Sequence, residues 1–378
     1  MKKLIALAFI LICINKVIAA DSTYVRRITD TLASASFFGR GYVKDGMKKA
    51  GGFIAAEMKQ MGLDVQEQKF DYPVNIFPGK MMLSINGKAL AAGSDFITAP
   101  ESESSKSSGA LEQTDSVTWI NRKNRIILKM VDKLTWSVAP EQADYTLFEI
   151  VKTNMLPATF SCEVEAKTDK KFSSANIIGS IKGSIKPDSV IVFTAHYDHL
   201  GGMGSETYFP GANDNAGGVA LMLGLAKYFR ANPSPYTIQF IAFAGEEAGL
   251  LGSKFYTDHP LSDLKKIRFL INLDLVGNGD EGITVVNATE FATEFALLQK
   301  LNASRQLLVA VNSRGKAANS DHYWFTEKGV PSFFIYTLGK RKAYHDVNDI
   351  AATVPWFELN DLSELLISFT RALMNNLY

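Results

Sequence analysis

The stretch SVIVFTAHYDHLG, residues 189–201, joins a run of apolar residues to three polar side chains. The apolar run is typical of a strand buried inside a sheet, and it ends at His196, Asp198 and His199. Histidine and carboxylate side chains at the end of a strand can bind a metal ion or transfer a proton. The fold and the function therefore depend on which other strands end in the same kind of residue.

From about residue 175 onward, apolar strand patterns alternate with amphipathic helix patterns. The predicted strands are NIIGSIKG (176–183), SVIVFTAH (189–196), YTIQFIAFAG (236–245), IRFLINLDLVG (267–277) and VPSFFIYT (330–337). The predicted helices are NAGGVALMLGLAKYFRAN (215–232), LLGSKFYTDHP (250–260), EFATEFALLQKLNA (290–303) and the closing segment 356–376. This alternation predicts an α/β fold with a mostly parallel central sheet flanked by helices. In the first of these helices, five apolar residues are expected to pack on one side: Val219, Leu221, Met222, Leu225 and Phe229.

Residues 28–72 predict two helical stretches and a strand, and the pattern changes at Pro73. Asn86-Gly87 between two apolar runs predicts a hairpin, whereas ESESSKSSG (101–109) has the composition of a flexible surface loop. RIILKMVDKL (125–134) and DYTLFEIVKT (144–153) are candidate strands or short helices. We expect residues 73–171 to form a smaller, β-rich inserted domain, with residues 21–72 and 172–378 forming the main domain.

The first 20 residues have the features of a bacterial signal peptide. Lys2 and Lys3 precede the apolar run LIALAFILICI, and the small residues Ala19 and Ala20 favour cleavage after one of them. A membrane anchor is the alternative, but the run is shorter than the ~20 residues that span a bilayer. We therefore expect an exported protein, periplasmic or extracellular, with no membrane contact after cleavage.

Composition excludes some classes of function. A net charge of +1 gives no broad basic field for nucleic acid. After signal cleavage Cys162 is the remaining cysteine, so no internal disulfide can form. Cys162 is expected to be a buried small residue.

Further polar residues follow the other predicted strands. Asp214 lies in the Gly-rich loop PGANDNAGG, the pair Glu246 and Glu247 follows YTIQFIAFAG, Asp274 ends RFLINLD, and His345 follows SFFIYT. In open α/β sheets, ligands bind outside the carboxyl ends of the strands, so these side chains are expected to converge there.

Each of these residues has an ordinary structural explanation when taken alone. A histidine at a strand end is more often hydrogen-bonded than metal-bound, and Asp214 is in a context typical of turn chemistry. Two histidines and three carboxylates at the same edge instead provide the mixed nitrogen and oxygen ligands that zinc prefers. They suffice for two metal ions that share a bridging carboxylate.

Glu246 and Glu247 are adjacent, so they cannot point the same way along a regular strand. One can bind a metal while the other acts as a general base toward water, the division that hydrolysis requires. Asp198, two residues after His196, could accept the imidazole N–H and orient the ring.

Five motifs occur in one order along the chain: TAHYDHLG, GANDNAGG, FAGEEAGLLGS, NLDLVG and YHDVND. Together with NIIGSIKG and SDHYWF…GVPSF, they resemble the M28 family of zinc aminopeptidases. The resemblance covers roughly residues 25–72 and 172–378. The insertion occupies the place where many members carry a protease-associated-like domain, a likeness of position only.

The resemblance implies a di-zinc peptidase that releases N-terminal residues from peptides with a free N-terminus. Asp214 would bridge two Zn²⁺ ions, His196 and Asp274 would complete one site, and Glu247 and His345 the other. Glu246 would be the general base that moves a proton from water to the leaving amine.

The resemblance also implies supporting roles for residues around the metals. Asp198 would orient His196, and the hydroxyl of Tyr344 would stabilise the oxyanion, although ordinary packing explains Tyr344 equally well. Three further residues are expected to shape the pocket rather than bind metal: His199, Asp321 and His322. His259 is expected at the surface.

Three alternatives remain. A carboxypeptidase or dipeptidase relative would need a cation for a C-terminal carboxylate, and four residues are candidates: Arg314, Lys316, Lys340 and Arg341. A glutaminyl cyclase relative works with one zinc, and the presence of His196 argues against it. A non-catalytic binding protein on this fold would be expected to lack ligands, whereas every motif position here is filled.

Overall fold

The structure is a computed structural model that describes residues 20–375. Apart from Ala20, the predicted signal peptide lies outside the described residues. The helices are α1 (Ser22–Leu32), α2 (Gly46–Gln60), α3 (Gly217–Ala231), α4 (Leu251–Asp258), α5 (Ala292–Arg305), α6 (His322–Glu327) and α7 (Leu359–Met374). Within these residues, no helix combines the length and the apolar character needed to cross a membrane.

The strands are given in chain order. They are β1 (Asp64–Ile76), β2 (Met81–Ile85), β3 (Lys88–Leu90), β4 (Phe96–Thr98), β5 (Ser105–Ala110), β6 (Glu112–Gln113), β7 (Thr118–Asn121), β8 (Ile126–Val131), β9 (Thr146–Val151), β10 (Thr159–Val164), β11 (Lys167–Ile181), β12 (Lys186–His196), β13 (Gly202–Met203), β14 (Thr207–Tyr208), β15 (Tyr236–Phe243), β16 (Ile267–Leu273), β17 (Ile283–Val286), β18 (Val311–Ser313) and β19 (Ser332–Thr337).

Eight strands form one large sheet in the order β1-β11-β15-β12-β16-β19-β17-β18. Its centre, β15-β12-β16-β19, is parallel, while β1, β11 and β17 add antiparallel pairs toward the two sides. The predicted α/β fold is confirmed, and the sheet is better described as mixed with a parallel centre. β12 is buried from Val190 to His196, which explains its continuous apolar sequence.

Helix α3 is buried on more than the one apolar side that the sequence predicted. All residues from Gly217 to Ala226 are buried, because α3 packs against α1 as well as against the strands β12, β15 and β16. The expectation of a one-sided helix was therefore too narrow, since a helix enclosed by other elements has apolar residues around its whole circumference.

Two smaller sheets lie in the predicted insertion, β3-β2-β10-β5 and β4-β9-β8-β7-β6. The antiparallel pair β1–β11 leads into and out of them. The predicted hairpin at Asn86-Gly87 joins β2 to β3, with φ of 53° and 79° as a tight hairpin turn requires. That residues 73–171 are a separate domain stays a prediction.

The prediction of a flexible loop at residues 101–109 was wrong. Residues 105–110 form β5, which pairs along its length with β10. Its side chains alternate between half-buried and exposed positions, and this polar edge strand has a loop-like composition. Ser107 contacts Cys162 at 3.6 Å, and Cys162 is buried as expected.

Candidate metal centre

Three neighbouring parallel strands deliver polar residues to one edge of the large sheet. His196 is the last residue of β12, Glu246 and Glu247 follow β15, and Asp274 follows β16. Parallel strands present their carboxyl ends at the same edge, so residues distant in sequence meet there. Asp214 joins them from the irregular turn 212–216 that precedes α3.

The first group of possible ligands surrounds His196. Its Nε2 lies 3.3 Å from Asp274 Oδ1 and 3.5 Å from Asp214 Oδ1, and all three residues are buried. Although Asp274 Oδ1 is this close to the imidazole, it has no hydrogen-bond partner in the described residues. Ligand atoms of these three residues lie close enough to one another to hold one metal ion.

The second group lies on the other side of Asp214. His345 Nε2 is 3.1 Å from Asp214 Oδ2 and 3.2 Å from Glu247 Oε2. The two oxygens of Asp214 thus face different histidines, Oδ1 toward His196 and Oδ2 toward His345. A carboxylate placed in this way can bridge two metal ions.

His199 also belongs to this cluster. Its Nδ1 lies 2.7 Å from Glu247 Oε1, and its Nε2 is buried without a partner in the described residues. Together with Asp214 and Glu247, it forms a group with atoms close enough to share one ion. His199 was predicted only to shape the pocket, and its contact with Glu247 was not predicted. This contact positions Oε1 of the Glu247 carboxylate.

The cluster is open to a cavity of about 310 Å³. Six of the residues that line it are acidic residues or histidines: His196, Asp214, Glu246, Glu247, Asp274 and His345. The other lining residues, called the wall here, are larger and more varied: Leu275, Arg314, Asn319, Phe334, Tyr336 and Tyr344. The site can therefore hold a small ligand between the cluster and this wall.

Comparison with known proteins agrees with this geometry. A model of peptidase family M28 matches residues 176–370, just over half of the chain. The chain belongs to peptidase family M28. The predicted resemblance is thereby confirmed, and the protein is a zinc-dependent hydrolase of this family.

Individual relatives differ in what they are named for. Aminopeptidase YwaD of Bacillus subtilis is 29% identical over 325 residues, which cover 75% of this chain and 69% of YwaD. The crystal structure of BSAP, a zinc aminopeptidase from Bacillus subtilis, has a TM-score of 0.72 at 23% identity, covering 93% and 95% of the two chains. An Acidobacteriales bacterium glutaminyl cyclase shares the fold, with a TM-score of 0.61 at 17% identity and full coverage of both chains.

The charges of this M28 chain show why its cluster suits cations. Burial alone would lower the pKa of His345, but the facing carboxylates of Glu247 and Asp214 raise it to about 11. Burial likewise opposes the charged form of His196, yet Asp274 and Glu246 raise its pKa well above the usual value. The buried carboxylates thus stabilise positive charge nearby, which here favours protonated histidines. Bound zinc would supply this positive charge in place of the histidine protons.

Glu246 lines the cavity, and its pKa is raised well above the usual range by burial and by the neighbouring carboxylates. Its backbone N–H donates to Asp198 Oδ1 at 3.1 Å, and that of Glu247 donates to Oδ2 at 3.2 Å. The Asp198 carboxylate is 3.8 Å from His196 Nδ1, while its carbonyl oxygen is closer, at 3.2 Å. Asp198 therefore contacts both His196 and the backbone of the glutamate pair.

Tyr344 stacks on His345, with ring centroids 4.0 Å apart, and lines the cavity while 44% exposed. Burial and the cluster's carboxylates raise the pKa of its phenol, which keeps the hydroxyl protonated as a hydrogen-bond donor. His322 packs on Phe334 behind the cavity wall, and burial lowers its pKa to about 4. His259 is exposed at the end of α4.

Asp321 is fully buried, and burial together with nearby carboxylates raises its pKa to about 7. Ser320, its neighbour, donates to Asp274 Oδ2 at 3.1 Å and accepts from Asn272 at 2.7 Å. The segment SDH therefore supports Asp274 from behind through Ser320, a contact that the sequence analysis did not predict.

His345 is held by the insertion. Trp136 N donates to the His345 carbonyl at 2.9 Å, and the Trp136 carbonyl lies 3.0 Å from His345 Nδ1. Lys133 donates to the carbonyls of Lys342 and Tyr344 at 3.0 and 3.2 Å. The insertion thus fixes both the backbone and the ring of a residue in the cluster.

Arg40 is the most informative residue that the sequence analysis missed. It is fully buried, and its guanidinium donates to five backbone carbonyls at 2.7–3.1 Å: Leu32, Tyr197, Pro210, Gly211 and Asp214. Burial lowers its pKa only to about 10, so it stays charged. The signal in the sequence is an arginine between two glycines in FFGRG, which by itself does not reveal its partners.

We expect Arg40→Met to lower the free energy of unfolding by about 3 kcal/mol or more, because several buried carbonyls lose their donors. Urea denaturation measures the effect. Arg230→Met is the matched control, since the exposed Arg230 donates to one carbonyl, that of Met61. Equal midpoints for the two variants would contradict the role given to Arg40.

Proposed function

We propose that the protein is a two-zinc aminopeptidase that releases N-terminal residues from peptides with a free N-terminus. The observation that carries this proposal is the placement of Asp214, whose two oxygens face His196 on one side and His345 on the other. The names of YwaD and BSAP support the aminopeptidase class. Export through a signal peptide belongs to the proposal as well.

In the proposed site, His196 and Asp274 would hold one ion and Glu247 and His345 the other, with Asp214 as the ligand that both would share. His199 supports Glu247 through its 2.7 Å contact with Oε1. Asp198 secures the backbone of the glutamate pair and the orientation of His196. Zinc, when bound, lowers the pKa of water and polarises the scissile carbonyl.

Glu246 is the proposed general base. Its carboxylate borders the cavity without belonging to either group of possible ligands. It would accept a proton from the attacking water and deliver it to the leaving amine. Tyr344, with its hydroxyl protonated, would donate a hydrogen bond to the developing oxyanion. Carboxylates near the ions would hold the free α-amino group.

The glutaminyl cyclase alternative shares the fold but is less well supported. The single-zinc arrangement expected for it does not need His196, whereas here His196 is buried with Asp274 and Asp214 in a complete group. A non-catalytic protein would have no need for Glu246 at the cavity. The two-zinc peptidase therefore accounts for more of the observed side chains.

Glu246→Gln should retain both ions and lose about a hundred- to ten-thousand-fold in kcat, because the amide cannot accept the proton. Turnover of amino-acyl fluorogenic amides and zinc content by mass spectrometry are the measurements. Glu141→Gln, at an exposed position of the insertion, is the control and should match the wild type. Undiminished, chelator-sensitive turnover by Glu246→Gln would exclude Glu246 as the base.

His196→Ala should bind one zinc ion per chain instead of two, since the first group loses its nitrogen ligand. Metal content after dialysis gives the stoichiometry, and His259→Ala, a change at an exposed histidine, should keep two. Two ions retained in His196→Ala would contradict the assignment of this ligand.

The insertion is expected to tune the ion held by His345. In the His196→Ala background, Lys133→Met should weaken the remaining zinc about tenfold, because the carbonyls around His345 lose their shared donor. Competition with a chelator measures this affinity. Lys106→Met removes another lysine of the insertion, which pairs with Glu163 at 3.1 Å, and should leave it unchanged. Equal zinc affinities in the two variants would show that Lys133 of the insertion does not affect the metal held by His345.

A further inference from the structure

The structure distinguishes among the four cations that are candidates for binding a substrate carboxylate. Arg341 is committed to a 2.7 Å ion pair with buried Asp349, and Lys316 pairs with Glu327. Lys340 is exposed in the segment after β19. Arg314 is the cation of these four that lines the cavity beside the metal cluster.

The backbone of Arg314 is fixed just after β18. Its N–H donates to the Val285 carbonyl at 2.9 Å, and its carbonyl accepts from Ala288 N at 3.0 Å. The exposed guanidinium uses Nη1 to donate to the Tyr336 hydroxyl at 3.3 Å. Within residues 20–375, the Arg314 guanidinium forms no salt bridge, whereas Lys316 and Arg341 each form one.

The residues that line the cavity therefore form two chemically different sets. The cluster contributes carboxylates whose charge two bound zinc ions would balance. The wall carries one cation, Arg314, beside the Tyr336 phenol, the Asn319 amide and the apolar surface of Leu275 and Phe334. A guanidinium in such a wall is suited to a carboxylate, which it can bind through two parallel N–H groups.

We propose that Arg314, with Tyr336 as its support, binds a carboxylate of the substrate. This carboxylate is either the acidic side chain of the N-terminal residue or the C-terminal carboxylate of a dipeptide. The inference rests on the proposed aminopeptidase function and narrows its substrate class. Arg314 is a specificity-determining residue, since the chemistry at the metals does not require it.

The competing explanation is that Arg314 only braces Tyr336 at the rim of an apolar pocket. That explanation predicts equal losses for acidic and neutral substrates when Arg314 is replaced. Recognition of the carboxylate instead predicts that kcat/KM falls only for substrates that carry this carboxylate. The two explanations therefore differ in the ratio of kcat/KM between carboxylate and neutral substrates.

The experiment compares kcat/KM of zinc-loaded wild type, Arg314→Met, Arg314→Lys and the control Lys316→Met. One substrate pair is Glu-amide against Gln-amide, which isolates the side-chain carboxylate. The other is Leu-Gly against Leu-Gly-amide, which isolates the C-terminal carboxylate. Thermal melting and zinc content establish that each variant is folded and loaded.

In one of the two substrate pairs, we expect the wild type to have a higher kcat/KM for the carboxylate substrate than for its neutral partner. The ratio of these two values should fall about ten- to a hundred-fold in Arg314→Met, and Arg314→Lys should have an intermediate ratio. Lys316→Met should keep the wild-type ratio. Whichever pair responds identifies the source of the carboxylate.

Hydrolysis of all four substrates with both ratios unchanged in Arg314→Met would overturn this inference and leave the aminopeptidase function intact. Failure of the zinc-loaded wild type to cleave any free-amine substrate would overturn the proposed function, and the inference with it.

Discussion

The backbone of Asp214 is held from two sides by charged groups, and the metal centre depends on this constraint. On one side, the buried guanidinium of Arg40 binds the Asp214 carbonyl together with that of Tyr197, the residue next to His196. On the other side, the carboxylate of Asp349 accepts the Asp214 N–H at 3.0 Å and is itself paired with Arg341. A carboxylate that must face two histidines at once tolerates little movement, so its position is set by hydrogen bonds to the main chain rather than by the side chain itself.

The motifs at strand ends could be located from the sequence because topology does most of the placement. Once β12, β15 and β16 are predicted to be parallel neighbours, His196, Glu247 and Asp274 must lie at one edge of the sheet. The role of Arg40 could not be predicted from the sequence, because its partners are backbone carbonyls. Every residue type has a backbone carbonyl, so the sequence does not show which ones bind Arg40. The same reason explains why β5 was taken for a loop, since its order comes from main-chain pairing with β10.

The insertion is part of the architecture of the site. Its apolar core includes Leu200, Met203 and Phe209, which belong to the segment between His199 and Asp214, and Trp136 stacks on Phe209 at 4.6 Å. The backbone of Trp136 also bonds to His345. A shared core and a shared hydrogen-bond pair transmit displacement more rigidly than a flexible linker would. Movement of the insertion would therefore displace His345 together with the loop that leads to Asp214.

Chains with this fold include aminopeptidases and a glutaminyl cyclase, so the sheet alone does not determine the reaction. In this protein the cluster is fixed by strands, by Arg40 and by the insertion, whereas the wall comes from β19 and from the segments that follow β16, β18 and β19. The wall residues Leu275, Asn319 and Arg314 lie outside the regular strands, where substitution disturbs the core least. Arg314 and Tyr336 do not adjoin the proposed ligands in sequence, whereas Leu275 adjoins Asp274 and Tyr344 stacks on His345. Substrate choice can therefore change at Arg314 and Tyr336 without replacing a ligand. Arg314, which forms no salt bridge within the described residues 20–375, is therefore the wall residue that most directly relates the sequence of this chain to the proposed substrate carboxylate.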